Sequence, residues 1–270
     1  MTENIEMRKK ICLLGDPAVG KSSLIRKFVY NQFSEVYVST IGTEVTKKDV
    51  MIDFHDSSQE PKKYDITLAI WDIIGQKEYR SLISRFYKNA NGALVVCDIS
   101  RDETFQNIRE WISSLFGAIG KVPVIFVGNK FDLIDKNTFN SDDLIDISCR
   151  YGAPWITTSA KDGENVEIAF AKLAELMVRD TLHFERMTSL IDVLDAMIVD
   201  FCEVNGGLEI GMPLFKEEFT KIPGASLKEP KREIVKQLIQ SLIKITRDNK
   251  GRMIADFQNS RFNNWLEKVN

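Results

Sequence analysis

Residues 15–22 of the sequence read GDPAVGKS, which matches the pattern G-x-x-x-x-G-K-[ST]. Backbone N–H groups of such a loop, at the N-terminus of a helix, form a concave site for phosphate. Gly15 and Gly20 let the backbone turn tightly where a Cβ atom would collide. Lys21 supplies a positive charge for the β- and γ-phosphates, and the Ser22 hydroxyl can ligate the accompanying magnesium. The stretch therefore predicts a phosphate-binding loop.

The sequence on both sides of this loop agrees with that prediction. Residues 11–14 are uniformly apolar and predict a buried strand, and residues 21–30 have the spacing of a helix. Strand, loop and helix in this order are the arrangement that the motif requires. A chance match in a glycine-containing turn has a frequency on the order of one per cent for a chain of this length, and the flanking elements lower it further.

Strand and helix patterns alternate through the first two thirds of the chain. Apolar runs predict six strands, at residues 10–14, 50–54, 66–72, 93–98, 122–129 and 155–159. Amphipathic spacing predicts helices at residues 21–30, 79–89, 104–119, 141–151 and from residue 165 onward. Short apolar strands separated by helices indicate an α/β fold with a mostly parallel sheet covered on both faces. Ligands bind such sheets beyond the carboxyl ends of the strands, and every motif below falls there.

Composition limits the class of protein. The 270 residues are 44% apolar and 28% charged, which is ordinary for a soluble globular chain with room for one large and one small domain. The net charge of −3 gives no reason to expect nucleic acid or an anionic membrane as the main partner. The four cysteines form no C-x-x-C pair, which favours free thiols in a reducing compartment.

The sequence has no recognisable targeting or anchoring signal. The first ten residues, MTENIEMRKK, have no apolar core, and no run reaches the roughly 18 apolar residues of a membrane helix. Thr2 stands where myristoylation needs glycine, and the last five residues, LEKVN, contain no cysteine. We therefore expect a cytoplasmic protein without a lipid anchor.

A second motif, WDIIGQ, follows the third predicted strand at residues 71–76. Asp72, at a strand end, can hold a magnesium-bound water, and the N–H of Gly75 can meet a γ-phosphate. Gln76 can orient an attacking water. The pattern D-x-x-G alone is usually only a turn, so its weight comes from its position after a strand.

Two short motifs follow the fifth and sixth predicted strands, NKFD at residues 129–132 and SAK at residues 159–161. The Asp132 carboxylate can accept hydrogen bonds from N1–H and the 2-amino group of guanine, whereas adenine would leave it unpaired. Lys130 can lay its alkyl stem across the base, and Ala160 can donate its backbone N–H to the guanine 6-oxygen. Position after the correct strands makes these motifs a predicted guanine site.

In this order and spacing, the four motifs and STIG at residues 39–42 resemble a small GTPase of the Ras superfamily, with the Rab branch most similar. The resemblance covers roughly residues 7–182 and implies a P-loop G domain, with a six-stranded mostly parallel sheet flanked by helices, at residues 1–182. It implies a molecular switch that binds GTP or GDP with Mg²⁺ and hydrolyses GTP slowly. It also implies activating proteins, exchange proteins and effectors at the switch loops.

The resemblance also assigns roles to individual residues. Thr40 resembles the switch I threonine that ligates magnesium only beside a γ-phosphate, Phe33 the aromatic edge-on to guanine, and Tyr37 the tyrosine that closes over the phosphates. Gln76 and Lys21 are the expected catalytic residues. Ser22 and Thr40 would bind the metal directly, and Asp72 through water. The full nucleotide-binding set is Gly15, Asp16, Ala18, Val19, Gly20, Lys21, Ser22, Ser23, Phe33, Tyr37, Thr40, Gly75, Asn129, Lys130, Asp132, Ser159, Ala160 and Lys161.

Two features depart from the family pattern. Pro17 stands where Ras proteins have a glycine beside the γ-phosphate, and its rigid ring could impede an arginine supplied by an activating partner. The polar hairpin at residues 55–63 is longer than a Rab-like protein needs; it is either a flexible surface tip or a partner-docking element. The phosphate loop and switches contain no evident arginine finger, so we expect low intrinsic turnover and activation in trans.

Residues 183–270 extend beyond the resemblance and have no recognised family. Helical spacing predicts a helix that ends at Gly206-Gly207, a second that ends at Pro223-Gly224, and a third from about Glu229. A turn is predicted at residues 248–251 and a strand at residues 253–257. This order is compatible with a winged helix, although the third helix lacks the dense basic run typical of nucleic-acid binding.

The extension is therefore expected to be a small, mainly helical domain. Residues 181–228 carry 4 basic and 8 acidic residues, and residues 229–270 carry 9 and 5, so the two halves can attract each other within one fold. We expect this domain to pack against the G domain through the helix that starts near Asn165, continuing that helix or docking beside it. Two alternatives to a hydrolysing switch remain: a GTP-binding scaffold with negligible turnover, or a G domain that gates a working C-terminal domain.

Overall fold

The computed structural model describes residues 4–34, 43–54, 62–73, 80–135 and 141–269. The chain forms two compact units, Met1–Arg179 and Asp180–Asn270. The first contains the predicted sheet, and the second contains additional helices. None of the described helices is both long and apolar enough to cross a membrane.

The first unit is built on a six-stranded sheet, as predicted. Its strands are β1 (Asn4–Leu14), β2 (Thr43–Phe54), β3 (Lys62–Ile73), β4 (Gly92–Asp98), β5 (Val124–Asn129) and β6 (Trp155–Thr157). The spatial order is β2-β3-β1-β4-β5-β6. The β2–β3 pair is antiparallel and all other pairs are parallel. The carboxyl ends of β1, β3, β4, β5 and β6 therefore lie at one edge of the sheet.

Within the described residues, six α-helices connect these strands or follow them. They are α1 (Lys21–Tyr30), α2 (Arg80–Tyr87), α3 (Asp102–Gln106), α4 (Ile108–Ile119), α5 (Asp142–Tyr151) and α6 (Val166–Arg186). The single helix predicted at residues 104–119 is divided at Asn107 into α3 and α4. The side-chain amide of Asn107 donates to Asp16, so the interruption coincides with a contact to the phosphate-binding loop.

The core of the first unit explains the continuously apolar strands. Every residue of β4 and β5 is buried, as expected for central strands covered on both faces. Phe28 of α1 stacks on Phe170 of α6 with ring centroids 3.9 Å apart, while Trp111 of α4 is buried and donates a hydrogen bond to Asp16. The bond from Trp111 to Asp16 holds α4 against the loop that follows β1.

The second unit is helical, as predicted. Its helices are the end of α6 and α7 (Leu190–Val204), α8 (Leu208–Lys221), α9 (Arg232–Lys250) and α10 (Arg252–Lys268). Its core is formed by large apolar side chains from all four later helices, among them Met197, Phe201, Phe215, Leu238, Leu242, Phe262 and Trp265. The predicted helix ends agree with the structure. α7 ends at Val204, before Gly206 and Gly207 with φ angles of 105° and 87°, and α8 ends at Lys221, before Gly224 with a φ of 76°.

The end of the chain differs from the prediction. Residues 253–257, predicted as a strand, lie in α10, and the turn expected at 248–251 is reduced to Gly251, whose φ is 90°. Ala255, Phe262 and Leu266 are buried, and their spacing of seven and four residues matches one helix face. The described part of this unit contains no strand, so the winged-helix interpretation is wrong.

A capping box separates α6 from α7. The Ser189 side chain accepts a hydrogen bond from the Asp192 backbone N–H at 3.2 Å, and the Asp192 carboxylate accepts the backbone N–H groups of Thr188 and Ser189, both at 2.8 Å. The hydrogen bonds from Thr188 and Ser189 lower the pKa of Asp192. The reciprocal cap starts a new helix at Leu190, so α6 does not continue as one helix into α7.

Candidate nucleotide-binding site

The loop between β1 and α1 needs glycine at its two ends. The φ angle is 141° at Gly15 and 98° at Gly20. A Cβ atom on Gly15 would lie 2.1 Å from the carbonyl oxygen of Val96, and one on Gly20 would lie 2.2 Å from Nδ2 of Asn129. Both conformation and space therefore exclude a side chain, and the loop folds closely over the ends of β4 and β5.

Lys21, the first residue of α1, lies inside this loop. Only 7% of its surface is exposed, and Nζ donates to the carbonyl oxygens of Gly15 and Asp16, each at 2.8 Å. Burial lowers the pKa of Lys21 to about 8, although Asp72 and Asp16 oppose that shift. A buried ammonium held by two carbonyl groups is a strong site for an anion, because phosphate would stabilise its charged form.

Ser22 and Asp72 meet beside this lysine. The Ser22 hydroxyl donates to Oδ2 of Asp72, which lies at the end of β3 and is 3% exposed. Among the described residues, Oδ1 of Asp72 has no hydrogen-bond partner, and burial raises the pKa of this carboxyl. A buried carboxylate with an unpartnered oxygen next to a hydroxyl matches the oxygen ligands that Mg²⁺ requires.

Asn129 connects the phosphate loop with the loop after β6. Its Nδ2 donates to the Val19 carbonyl at 2.9 Å, and its Oδ1 accepts from Thr158 Oγ1 at 3.0 Å and from Ala160 N–H at 3.3 Å. Asn129 is 1% exposed and Thr158 is fully buried. The sequence placed Asn129 and Ala160 in the site but missed Thr158, whose signal is only its position directly before Ser159.

The guanine-reading residue of the sequence prediction lies in the same region. Asp132 is on a single 3₁₀ turn, Phe131–Leu133, and its Oδ1 accepts the Ser159 hydroxyl at 2.7 Å. Ser159 Oγ in turn accepts the Asp162 backbone N–H at 3.0 Å. These hydrogen bonds orient the Asp132 carboxylate, which is only partly buried. Lys161, the last residue of the SAK motif, is exposed.

Three hydrogen bonds fasten the start of the phosphate loop to the segment after β4. Asp16, 6% exposed, accepts hydrogen bonds from Trp111 Nε1 at 2.8 Å and from Asn107 Nδ2 at 2.5 Å. Arg101 Nη2 donates to the carbonyl oxygen of Pro17 at 3.1 Å. Asn107, Trp111 and Arg101 were absent from the sequence prediction, because no motif marks them.

Asp98, the last residue of β4, was also missed. Its buried carboxylate receives Lys130 Nζ at 2.7 Å and Arg101 Nε at 2.9 Å, both on Oδ2, while Oδ1 accepts from Ser100. Burial would raise the pKa of Asp98, but the hydrogen bonds from Lys130, Ser100 and Arg101 outweigh it and hold the pKa below its usual value. The sequence signal for Asp98 is an acidic residue at the end of the apolar run that forms β4.

The remaining predicted residues divide into two groups. Ser23 lies in the first turn of α1, and Phe33, just beyond that helix, is 39% exposed. Four predicted residues lie outside the described ranges: Tyr37, Thr40, Gly75 and Gln76. The predicted hairpin tip lies there too, apart from Lys62 and Lys63. The described residues therefore gather both predicted halves of a nucleotide site, phosphate and base, at one sheet edge.

Comparison with known proteins agrees with this architecture. The family model described as the Ras family matches residues 10–179. Rab-27B of Rattus norvegicus is 32% identical over 173 residues, covering 63% of this chain and 79% of that protein. Rab-27B of Homo sapiens is 30% identical over 189 residues, 69% of this chain and 87% of that protein. The GTP-binding protein ypt1 of Schizosaccharomyces pombe is 33% identical over 166 residues, 61% and 77% of the two chains. The chain therefore belongs to the Ras family, as a Rab-like small GTPase whose cofactors are GTP or GDP and Mg²⁺.

Proposed function

We propose that this chain is a molecular switch of trafficking or signalling that hydrolyses GTP slowly. The observation that carries the proposal is the position of Asn129, which holds the phosphate loop at Val19 and the base loop at Ala160. One buried side chain thus sets the spacing between the site for phosphate and the site for base. That spacing suits a guanine nucleotide spanning the carboxyl edge of the sheet.

The phosphate half supplies the groups that hydrolysis needs. Lys21 and the loop N–H groups would stabilise the negative charge that develops on the γ-phosphoryl oxygens. Mg²⁺, held by Ser22 and Thr40 and through water by Asp72, would neutralise charge on the β- and γ-phosphates. Gln76 would orient the water whose oxygen forms the new bond to the γ-phosphorus. The bond to the bridging oxygen breaks, that oxygen leaves with GDP, and the water proton passes to the phosphate released.

The base half supplies specificity. Asp132, oriented by Ser159, would accept the N1–H and 2-amino hydrogens of guanine, and Ala160 N–H would meet the 6-oxygen. In the described structure Ala160 N–H points at Oδ1 of Asn129, so this donor would have to be shared with the base. Lys130, held by Asp98, would cover the face of the ring.

Switching would depend on residues outside the described ranges. Thr40 and Tyr37 in one loop, and Gly75 and Gln76 in the other, would contact the γ-phosphate and release on hydrolysis. Activating proteins, exchange proteins and effectors would act at these loops, in the cytoplasm. The rigid ring of Pro17 would stand beside the γ-phosphate, where it would impede an arginine delivered in trans by an activating partner.

The extension, residues 183–270, would act as a domain distinct from the G domain of residues 1–182. Its own apolar core and the capping box at Ser189 support this division. Its roles would be regulation of the switches, recruitment of a protein partner, or self-association, in that order.

Single-turnover hydrolysis by the full-length protein tests the proposal. Wild type should bind GTP and GDP with Mg²⁺, exclude ADP, and convert bound GTP to GDP slowly. Gln76→Leu should still bind GTP but hydrolyse it more slowly, because it lacks the amide that orients water. Binding without measurable turnover by wild type would favour the scaffold alternative. Tight ADP binding would refute the guanine site itself.

A further inference from the structure

Asp98 and Arg101 link the two halves of the nucleotide site, although neither belongs to a nucleotide-binding motif. The connected groups run from Lys130 Nζ to Asp98 Oδ2, from there to Arg101 Nε, and from Arg101 Nη2 to the Pro17 carbonyl, with separations of 2.7, 2.9 and 3.1 Å. We propose that Asp98 and Arg101 are positioning residues that hold the phosphate loop and the base-covering lysine in one arrangement. The inference rests on the proposed function.

The geometry of Asp98 supports a fixed bridge. Both cations share Oδ2, while Oδ1 accepts the Ser100 backbone N–H at 3.1 Å and the Ser100 hydroxyl at 2.6 Å. The side chain of Asp98 is 1% exposed. A carboxylate with four donors on two oxygens has one orientation, and moving it would leave buried charge unpaired.

Arg101 suits this task because its guanidinium is a planar fork. Nε points to Asp98 and Nη2 to Pro17, so one rigid group spans the carboxylate and the loop. Nη1 also lies 3.6 Å from Glu103, but that side chain is 74% exposed and forms at most a weak, screened pair. Lysine at this position would keep the charge but would offer one nitrogen in place of the two, Nε and Nη2, that separately reach Asp98 and Pro17.

The hydrogen bond from Arg101 to Pro17 matters because of the chemistry of proline. Proline has no backbone N–H, so the carbonyl oxygen is the one backbone group of Pro17 itself that can form a hydrogen bond. Asp16, immediately before it, is held by Asn107 and Trp111. The first half of the loop is therefore clamped by the segment after β4. Preformed N–H donors bind phosphate without a further ordering cost.

The affinities for GDP and GMP distinguish a positioning role of Arg101 from a general contribution to folding. Competition against a fluorescent GDP analogue, with Mg²⁺, would give GDP and GMP affinities for wild type and variants. Arg101→Ala should weaken GDP about tenfold, the loss expected for a charge-assisted bond, and GMP by less than twofold, since GMP does not reach the Pro17 end of the loop. Arg101→Lys should recover only part of the GDP affinity. Arg109→Ala, which removes an exposed arginine 3.8 Å from Asp146 and outside the site, is the matched control and should leave both affinities unchanged.

Asp98→Asn tests the other end of the bridge. It should weaken both ligands, because Lys130 loses its partner as well, and adding Arg101→Ala to it should cause little further loss. If Asp98→Asn unfolds by circular dichroism, the Arg101 variants alone decide. The bridge is refuted if Arg101→Ala keeps GDP affinity within twofold of wild type, or if GDP and GMP weaken equally. Wild type that binds neither nucleotide would refute the proposed function, and this inference with it.

Discussion

Replacing Gly20 by alanine should damage both the stability and the nucleotide affinity of the first unit. Gly20 has a φ of 98°, and a Cβ atom there would lie 2.2 Å from Nδ2 of Asn129. The left-handed conformation alone costs a non-glycine residue about 1–2 kcal/mol. Asn129 must also move, which breaks its 2.9 Å bond to the Val19 carbonyl and leaves a buried polar group unpaired, at a cost of about 1–3 kcal/mol.

Gly152→Ala is the matched control. Gly152 also has a positive φ, 59°, but nothing lies within 4 Å of the Cβ position. It should carry only the conformational cost, so Gly20→Ala should be less stable than Gly152→Ala by roughly 1–3 kcal/mol. Only Gly20→Ala should also weaken GDP binding, by roughly tenfold, because displacing Asn129 moves the phosphate loop relative to the base loop.

Urea unfolding of the nucleotide-free proteins and competition binding of GDP would measure the two effects. Equal destabilisation by both substitutions would refute the argument, because the contact with Asn129 would then have no cost. Unchanged GDP affinity in Gly20→Ala would show that Asn129 does not set the spacing between the phosphate and base loops.

Four further substitutions test the same structure. Asp132→Asn should shift the base preference from guanine toward xanthine, because the 2-oxo group of xanthine can accept from an amide donor. Competition between GDP and XDP measures this preference. An unchanged preference in the variant would show that Asp132 does not read the base. Lys21→Met should abolish tight nucleotide binding, because it removes the positive charge that faces phosphate. It should also remove the effect of this buried ammonium on stability. Because the pKa of Lys21 is lowered from 10.5 to about 8, nucleotide-free wild type should gain stability as pH rises from 8 toward 10.5, and the variant should lack that gain; equal pH profiles in urea unfolding would contradict this. Gly117→Ala, in open space on α4, should stabilise by about 0.5–1 kcal/mol. Gly211→Ala, whose Cβ would lie 2.5 Å from the Cα of Cys202, should destabilise the second unit by about 1–3 kcal/mol, and equal shifts in unfolding midpoint would refute the packing argument.

The sheet and the location of the site could be predicted because both follow from local signals. Continuous apolar runs identify buried parallel strands, and residues that follow such strands must share one edge. This is why Gly15, Asp72 and Asn129 could be assigned together although up to 114 positions separate them in the sequence. Motif glycines carry a further local signal, since their conformations exclude other residues.

The contacts within the site could not be predicted, because they depend on side-chain directions across elements. Nothing in the residues around Asp98 indicates that its carboxylate holds both Lys130 and Arg101. Asp16 was assigned to the phosphate loop, but its carboxylate faces Trp111 and Asn107. Such pairings are decided by the path of the chain after β4, which the pattern of apolar residues leaves open.

The strand wrongly predicted at residues 253–257 has a different cause. A short apolar run fits both the two-residue period of a strand and the 3.6-residue period of a helix. Residues 253–257 read MIADF, an almost continuously apolar run that is too short to distinguish a strand from a helix, and only the later positions of α10 settle the period. Within that unit, Gln258 of α10 joins Asp200 of α7 and Thr246 of α9 in a buried chain of hydrogen bonds at 2.9 and 2.6 Å. These polar groups would be unsatisfied if α10 were shifted by one residue along its neighbours. Apolar stripes therefore account for the burial of the helices, whereas the polar chain accounts for their register, and the latter is invisible in a pattern of hydrophobicity.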